Sequence, residues 1–400
     1  MTTVEVAEDF AQDAHLFAEL LRGGGPVRRA RMPRGLGCYI VTDFAQARAL
    51  LADSRLRKDS LQAHALFESK LPSGATTQGG FEDSLGRHML NMDPPDHSRL
   101  RKLVNKAFTG RTVARLRPRI EKITAELLDA LAGRERADLL PSFAAPLPIT
   151  VICELLGVAA EDRTEFADWS KTLLSSSEPE DAQAAAQNMF GYLTGLIAQK
   201  RAEPAEDLLS DLVHASDDGD SLSEPELVSM AFLLLVAGHE TTVNLIANSV
   251  LALLREPEQL ALLRDDPALL PNAVEEFLRF DGPIHLATLR FTVEPVEAGG
   301  VTIPEGEFVL ISLLGANRDE ARYAEPDKLD ITRAAGGHLA FGHGIHYCVG
   351  APLARLEAEI ALGGLIARFP DLALDAKPDE LAYRPSSLIH GLESLPVRLR

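Results

Sequence analysis

The chain is poor in cysteine and lacks the short motifs that bind several common cofactors. Its 400 residues include three cysteines, at positions 38, 153 and 348. An odd number at such wide spacing does not form a disulfide framework and is typical of a reducing compartment. No C-x-x-C pair indicates zinc or an iron–sulfur cluster, and no G-x-x-x-x-G-K-[ST] loop indicates a bound nucleotide.

Positive charge and long apolar segments are also scarce. The chain has 40 Lys and Arg against 59 Asp and Glu, and its net charge of −19 argues against nucleic acid as a partner. The longest apolar runs, such as Met230 to Gly238, span about nine residues, whereas a membrane helix needs about 20. Residues 1–9 lack the basic and apolar regions of a signal peptide. We therefore expect a soluble, cytoplasmic protein that does not use a membrane.

The hydrophobic pattern predicts a mainly α protein with small β-sheets. The sequence contains no repeat and no low-complexity linker, so residues 1–400 are predicted to form a single domain. The predicted segments are a β-hairpin at 26–42, helices from about 43 to 279, short strands at 288–315, a long helix after Cys348, a strand and turn around Val397 and Leu399, and loops at 70–80 and 203–225.

One helix is predicted to be unusually long. Ser223 and Glu226 form a capping box, and the helical pattern then continues to about Arg255, which corresponds to about 45 Å. Its apolar centre is interrupted at 237–242 by Ala-Gly-His-Glu-Thr-Thr. The Thr241 hydroxyl can bond to the carbonyl group four residues earlier. For this segment alone two interpretations remain open, a functional site or a helix bend with a satisfied polar pair.

The most informative segment is a glycine-rich loop that presents one cysteine. Residues 341–350 read Phe-Gly-His-Gly-Ile-His-Tyr-Cys-Val-Gly, and a helical pattern begins directly after them. A helix N-terminus favours the thiolate form of a cysteine, which is the form that binds metal. The glycines allow backbone amides to approach the sulfur of Cys348. A buried structural cysteine is the alternative for Cys348, and it is our interpretation of Cys38 and Cys153.

These two segments resemble motifs of the cytochrome P450 family. Residues 341–350 match the haem-thiolate loop F-G-x-G-x-H-x-C-x-G at every fixed position, and residues 237–242 match A-G-x-[DE]-T-[TS]. The resemblance extends from about residue 15 to residue 400. It implies a triangular, mainly α fold with a long central helix, haem b as the cofactor, and Cys348 as the axial ligand of the iron.

Other positions of the family's motifs carry over to this chain. The resemblance implies that Thr241 contacts dioxygen, that Glu240 delivers protons to it, and that Ala237 and Gly238 lie beside the haem. Residues that resemble haem and propionate contacts are His97, Arg101, Arg290, Phe341, Gly342, His346 and Gly350. Residues that resemble the family's structural E-x-x-R pair and its third member are Glu276, Arg279 and Arg333. For the four propionate candidates His97, Arg101, Arg290 and His346, an ordinary surface charge or a capping histidine is the alternative.

The resemblance implies a bacterial-type monooxygenase that inserts one oxygen atom of dioxygen into a hydrophobic small molecule, by hydroxylation or epoxidation. The motifs resemble those of actinomycete enzymes that oxidise macrolides and other polyketides, with steroids or terpenoids less favoured. The alternatives are a haem-thiolate peroxygenase and a non-catalytic haem sensor, and the Glu240–Thr241 pair argues against both. By position, the residues expected to line the substrate pocket are Leu66, Phe81, Leu90, Leu233, Ile284, Leu286, Ala287, Leu388 and Ile389.

The chain has no electron-donating module of its own in its sequence. Tyr347 stands at the third glycine position of the G-x-G-x-x-G pattern that begins at Gly342, so a dinucleotide site is not indicated. We therefore expect electrons from a separate ferredoxin and its NAD(P)H-dependent reductase. Residues 99–119 carry eight Lys or Arg and no Asp or Glu. Lys102 and Lys106, one turn apart, are predicted to form the docking face, with a solvated helix face as the other interpretation.

Overall fold

The computed structural model describes residues 3–70, 85–174, 179–217 and 220–400, and most of them are helical. The helices are α1 (Ala14–Arg22), α2 (Phe44–Ala52), α3 (Ser60–Lys70), α4 (Asp96–Ala107), α5 (Gly110–Leu131), α6 (Pro146–Leu155), α7 (Arg163–Leu174), α8 (Pro179–Ala202), α9 (Leu208–His214), α10 (Glu224–Arg255), α11 (Pro257–Asp265), α12 (Leu270–Asp281), α13 (Leu313–Asn317) and α14 (Ala351–Arg368). The longest is α10, which packs against α6, α8, α12 and α14 and so forms the centre of the core.

Helix α10 begins and ends where the sequence predicts. The backbone N–H of Ser223 donates to Glu226 Oε2 at 2.8 Å, which is half of the predicted capping box. The helix ends at Arg255, before Pro257 starts the next one. Within the described residues, α10 is the one helix long and apolar enough to cross a membrane. Its most apolar 18-residue window is 83% buried within the protein, and the core helix of a soluble protein meets the same criteria.

Short strands build a small mixed sheet and three smaller ones. The strands are β1 (Val4–Glu5), β2 (Val27–Arg31), β3 (Gly37–Val41), β4 (Leu56–Arg57), β5 (Arg136–Asp138), β6 (Ser216–Asp217), β7 (Asp220–Ser221), β8 (Arg290–Thr292), β9 (Val296–Ala298), β10 (Val301–Ile303), β11 (Phe308–Ile311), β12 (Ala373–Leu374) and β13 (Pro396–Arg398). The largest sheet has the order β1-β2-β3-β11-β8-β4, while β12-β13-β5, β9-β10 and β6-β7 pair separately.

Most of the predicted segments are confirmed. The hairpin predicted at 26–42 is β2 and β3, which pair antiparallel with Val27 opposite Val41. The strands predicted at 288–315 are β8 to β11, and the long helix after Cys348 is α14. Val397 lies in β13 as predicted, whereas Leu399 follows that strand.

Two predictions about the middle of the chain are wrong in part. The segment 203–225 was predicted to be loop, but it contains α9 and the β6–β7 hairpin. Asp207 explains the helix, because its side chain caps α9 by accepting the N–H of Ser210 at 2.8 Å. The helical region predicted from 43 to 279 is interrupted by β4 and β5, whose sheet partners lie far along the chain in β8 and β13.

The predicted E-x-x-R pair is a buried ion network that fixes the segment before the cysteine loop. Arg279 Nε and Nη2 donate to the two carboxylate oxygens of Glu276 at 2.7 and 2.8 Å, and both side chains are fully buried. Arg333 Nε donates to Glu276 Oε1 at 3.1 Å. Arg279 Nη1 also donates to the carbonyl groups of Asn317 and Pro326. The network therefore ties α12 to the irregular chain that leads to Cys348.

Candidate active site

Cys348 lies between a short 3-10 turn, Gly344–His346, and the first residue of α14. The backbone amides of Gly350 and Ala351, at the start of that helix, favour negative charge on its sulfur. The side chain is accessible, but the protein around it still raises the pKa of the thiol by desolvation, against the effect of the two amides and of Arg101. Two amides at a helix N-terminus stabilise negative charge on sulfur, as a metal-bound thiolate requires.

Glycine is required in this loop for a steric reason. Gly344 has φ of 76°, and a Cβ added there would lie 3.0 Å from the carbonyl oxygen of Leu51 at the end of α2. A side chain would therefore push the loop away from α2. The backbone N–H of Cys348 donates to the carbonyl group of Phe341 at 3.0 Å, which closes the loop on itself.

A second ion network, which the sequence did not reveal, supports the same loop. Arg355 of α14 donates to both oxygens of Glu275 at 2.5 and 2.9 Å, and its guanidinium lies 4.6 Å from the centre of the Phe341 ring. His338 Nε2 lies 3.3 Å from Glu275 Oε2. Burial would raise the pKa of Glu275, but Arg355 and His338 lower it to about 2. The only sequence signal was that Glu275 is adjacent to Glu276 of the E-x-x-R pair.

The four predicted propionate contacts lie close enough to act on one another. The ring centres of His97 and His346 are 4.3 Å apart. Burial, followed by the charges of Lys58, His97, Arg290 and Arg101, lowers the pKa of His346 to about 2. Burial and the charges of Arg101 and Lys58 also lower the pKa of His97. The fold therefore gathers basic side chains from α4, from β8, from the cysteine loop and from the end of β4.

This basic cluster of His97, Arg101, Arg290, His346 and Lys58 fits a ligand that carries carboxylates. Lys58 Nζ and both ring nitrogens of His97 are buried, and no hydrogen-bond partner for them lies within the described part of the chain. Asp93 is the nearby acid, but its Oδ2 already accepts the backbone N–H groups of Lys58 and Asp59, each at 2.9 Å. Haem carries two propionate carboxylates, so if bound here it would satisfy these groups. Lys58 was missed because a lysine that follows a strand in sequence is typical of a surface position.

The centre of α10 has one exposed turn. Ala237 is exposed, although the residues on either side of it in this helix are mostly buried. The expected bond from Thr241 Oγ1 to the Ala237 carbonyl group is present at 2.9 Å. At Gly238 the space of the missing side chain is filled by Ile152 of α6, 2.9 Å from an added Cβ. That glycine permits close helix packing, and Ala237 is the accessible residue of the turn.

Glu240 is buried and held by two basic side chains. Arg384 Nη1 donates to Glu240 Oε2 at 2.8 Å, and His239 Nε2 lies 3.6 Å from Oε1. Burial would raise the pKa of Glu240, but His239 and Arg384 outweigh burial and lower it. The Arg384 side chain is 24% exposed, so the ion pair links the buried carboxylate to the protein surface. His239 is buried as well.

The segment that carries Arg384 is fixed along one side of α10. Asn248 Nδ2 donates to the carbonyl group of His390 at 3.0 Å. A Cβ added at Gly391 would lie 1.8 Å from Asn244 Oδ1, so a side chain there would collide with α10. Glu240, Asn244 and Asn248 are successive positions one turn apart, and all three contact the segment 384–391.

The residues predicted to line the substrate pocket fall into several groups. Leu233 belongs to the main core and Leu90 packs against it. Leu286 belongs to a second cluster and Leu66 packs against that one, while Ile284 and Ala287 pack against a third. Ile284 pairs with Ile389 through an isolated β-bridge, next to Leu388, whose carbonyl group accepts from His285 N. Phe81 lies outside the described residues. Leu233, Leu286 and Ile389 are buried, which agrees with core packing as well as with a pocket wall.

Comparison with known proteins shows which family this geometry belongs to. A family model described as cytochrome P450 matches residues 149–388. Cytochrome P450 107B1 of Saccharopolyspora erythraea is 54% identical, over 100% of this chain and 99% of that protein. The 6-deoxyerythronolide B hydroxylase of the same species is 44% identical over 100% of both chains. The structure of the P450 monooxygenase TamI with tirandamycin C bound superposes with a TM-score of 0.92 at 48% identity, over 99% of this chain and 100% of TamI. The chain therefore belongs to the cytochrome P450 family, whose haem-thiolate monooxygenases include these relatives.

Proposed function

We propose that this monooxygenase hydroxylates or epoxidises a macrolide or a related polyketide in the cytoplasm, with electrons from a separate ferredoxin. The observation that carries the substrate class is the similarity along the whole chain to an enzyme named for 6-deoxyerythronolide B and to TamI, which was solved with tirandamycin C. The apolar residues proposed to line the pocket, among them Leu90, Leu233 and Ile389, suit a hydrophobic substrate.

In this proposal Cys348 binds the haem iron, and four residues of the basic cluster, His97, Arg101, Arg290 and His346, bind the propionates. Thiolate-ligated haem supplies the centre at which dioxygen is activated and one oxygen atom is transferred to the substrate. The amides of Gly350 and Ala351 favour negative charge on the ligand sulfur and oppose the effect of its burial. Phe341 and Gly342 shape the loop that presents the cysteine.

Thr241 and Glu240 have separate roles in moving protons. Thr241 Oγ1 now donates to the Ala237 carbonyl group, so its oxygen lone pairs remain able to accept a proton-carrying water. Glu240 is held ionised by Arg384 and His239, and a carboxylate in that state accepts protons from the surface and passes them inward. A peroxygenase has no need of such a relay, so this pair favours the dioxygen-dependent reaction.

Replacing Thr241 by alanine is expected to leave haem and substrate binding intact but to divert reducing equivalents to hydrogen peroxide. Loss of a proton-transfer group typically lowers the rate by about 10²–10⁴-fold. Product, peroxide and NADPH are measured together. Ser249→Ala is a matched control, because the Ser249 hydroxyl makes the same kind of bond to a carbonyl group four residues earlier in α10. An unchanged yield of product per NADPH in the Thr241 variant would remove this residue from the mechanism.

Replacing Arg384 by glutamine is expected to move the acid limb of the activity profile to higher pH. Arg384 helps to lower the pKa of Glu240, and burial, which raises it, remains when the arginine is gone. Glu240 is therefore protonated at a higher pH in the variant, and its carboxylate relay is lost earlier as the pH falls. Product formed per NADPH is measured against pH. Arg384→Lys keeps the charge and should restore the profile, and equal acid limbs in wild type and Arg384→Gln would exclude this coupling.

Reversing the charges of Lys102 and Lys106 is expected to slow reduction by ferredoxin at low salt. Both residues are exposed on α4, the helix that also carries His97 and Arg101. Charge steering acts mainly on the association rate and is screened beyond about 10 Å at 0.1 M salt. The rate is measured by stopped-flow mixing for Lys102→Glu with Lys106→Glu. Lys122→Glu with Lys171→Glu makes the same charge change at exposed positions on α5 and α7, and equal slowing by both pairs would place docking elsewhere.

The proposed function itself is tested by comparing oxidants and substrates. With a reconstituted ferredoxin and reductase, we expect NADPH and dioxygen to be consumed in step with product, at a rate well above that of the peroxide-driven reaction. A spectral titration with macrolides, other polyketides, steroids and terpenoids follows the loss of water from the iron. Tight binding by steroids alone would change the substrate class, and turnover with peroxide alone would favour a peroxygenase.

A further inference from the structure

Lys58 stands directly opposite another buried cation. Strand β4 pairs antiparallel with β8, with Leu56 opposite Thr292 and Arg57 opposite Phe291. The next step in this register places Lys58 opposite Arg290. Residues directly opposite in an antiparallel pair have neighbouring side chains on the same face, and like charges in such a pair are destabilising. Both side chains are buried, with exposures of 4% each.

The described residues do not neutralise this pair. Lys58 Nζ has no hydrogen-bond partner among them, and Arg290 Nη1 donates to the carbonyl group of Thr288 at 3.2 Å. Burial and the charge of Arg290 lower the pKa of Lys58 well below its usual range. Asp93 acts on both cations through its charge, but its Oδ2 is occupied by backbone N–H groups. Burying an ammonium group without a partner costs free energy of folding. A buried lysine of this kind is therefore expected to bind an anion.

We propose that Lys58 is a haem-anchoring residue that binds a propionate carboxylate jointly with Arg290. The charges of the cluster then balance, because Lys58, Arg101 and Arg290 face Asp93 and the two propionates. His97 and His346 can remain neutral and donate hydrogen bonds. The backbone of Lys58 is itself clamped to Asp93 just before α4, so the ammonium is fixed relative to His97 and Arg101. The inference uses the haem of the family and is independent of the proposed substrate and redox partner.

The test measures how firmly the holoenzyme holds its haem. Transfer of haem to excess apomyoglobin is followed by the Soret band for wild type, Lys58→Gln, Lys58→Arg and Arg57→Gln. We expect at least about tenfold faster transfer from Lys58→Gln, because a hydrogen bond to a charged group is lost. Lys58→Arg should stay within about threefold of wild type. Arg57→Gln removes a positive charge from the adjacent residue, whose side chain points to the other face of the strand, and should match wild type.

The reduction potential provides a second readout that loosening of the fold would not reproduce. Loss of a positive charge beside the haem disfavours addition of an electron, so the potential of Lys58→Gln should be more negative than that of Arg57→Gln. Equal transfer rates and equal potentials in these two variants would overturn the proposal.

Lys58→Met separates this role from a purely structural one. Methionine is similar in length and removes the buried charge. If Lys58 binds a propionate, the haem-loaded Met variant should melt below wild type and release haem faster. If the ammonium has no anion, removing it should raise the melting temperature and leave haem release unchanged, and that result would refute the assignment. The Gln variant could fail to fold. If the Met variant then folds and retains haem as wild type does, the assignment of Lys58 as a propionate ligand is refuted as well.

Discussion

Replacing Cys348 by histidine is expected to convert the reduced carbon monoxide complex from the red-shifted Soret band of a thiolate ligand to the band of histidine-ligated haem. Sulfur donates electron density to the iron that imidazole does not, and O–O cleavage depends on it. Monooxygenase turnover should therefore be lost together with the shifted band. Spectra of the purified, haem-loaded variant and assays with NADPH and dioxygen measure both effects.

The other two cysteines provide matched controls for this substitution. Burial raises the pKa of Cys38 and of Cys153 to about 12, so neither forms a thiolate near neutral pH. Cys38→Ala and Cys153→Ala should each keep the shifted band. Two results would contradict the assignment of Cys348 as the iron ligand. One is that freshly folded wild-type protein lacks the shifted band, and the other is that Cys153→Ala loses it.

The parts of this site that the sequence predicted are local in the chain. The ten consecutive residues 341–350 contain the whole cysteine loop. Its glycines shape the short turn that directly precedes the cysteine, so the motif is visible in the sequence. The ends of α10 were predicted from local signals too. A capping box lies at the start of the helix, and a proline follows its end. The bond between Thr241 and Ala237 spans one helical turn, so its prediction needed only the helix.

The parts that were missed depend on partners far away in sequence. Arg384 and Glu240 are 144 residues apart, and the contact exists because Asn244 and Asn248 hold the segment 384–391 against α10. Lys58 lies opposite Arg290 only after β4 and β8 have paired. Hydrophobic periodicity carries no information on such pairs, since it describes one element at a time.

The substrate pocket shows a different limit. The candidate residues are apolar, and in sequence an apolar residue that faces a pocket is identical to one that fills the core. The structure packs Leu66 against the cluster that contains Leu286, and Leu90 against the one that contains Leu233. The resemblance to the family therefore predicted which residues are candidates for the pocket. The shape of the pocket, which selects one substrate, depends on how these clusters pack together.

Replacing Glu276 by glutamine is expected to lower the free energy of unfolding by about 3–5 kcal/mol, because it leaves two arginines without their carboxylate in the interior. Arg279 is fully buried and Arg333 is largely so, and both donate to Glu276. The same carboxylate accepts the backbone N–H of Asp330 at 3.0 Å, in the segment that leads to the cysteine loop. Loss of the charge should therefore loosen the haem loop as well as the fold. Denaturant unfolding, followed by the Soret band and by far-UV circular dichroism, measures both.

The chain offers the same substitution at an exposed ion pair as a control for Glu276→Gln. Lys122 Nζ lies 3.8 Å from Glu126 Oε1 one turn further along α5, with side-chain exposures of 68% and 58%. Exposed pairs of this kind contribute about 0–1 kcal/mol, because water screens both charges. Glu126→Gln should therefore unfold almost as wild type does. Equal, small losses in both variants would mean that water or a rearranged side chain compensates Arg279, and that the network around Glu276 does not determine the position of the loop.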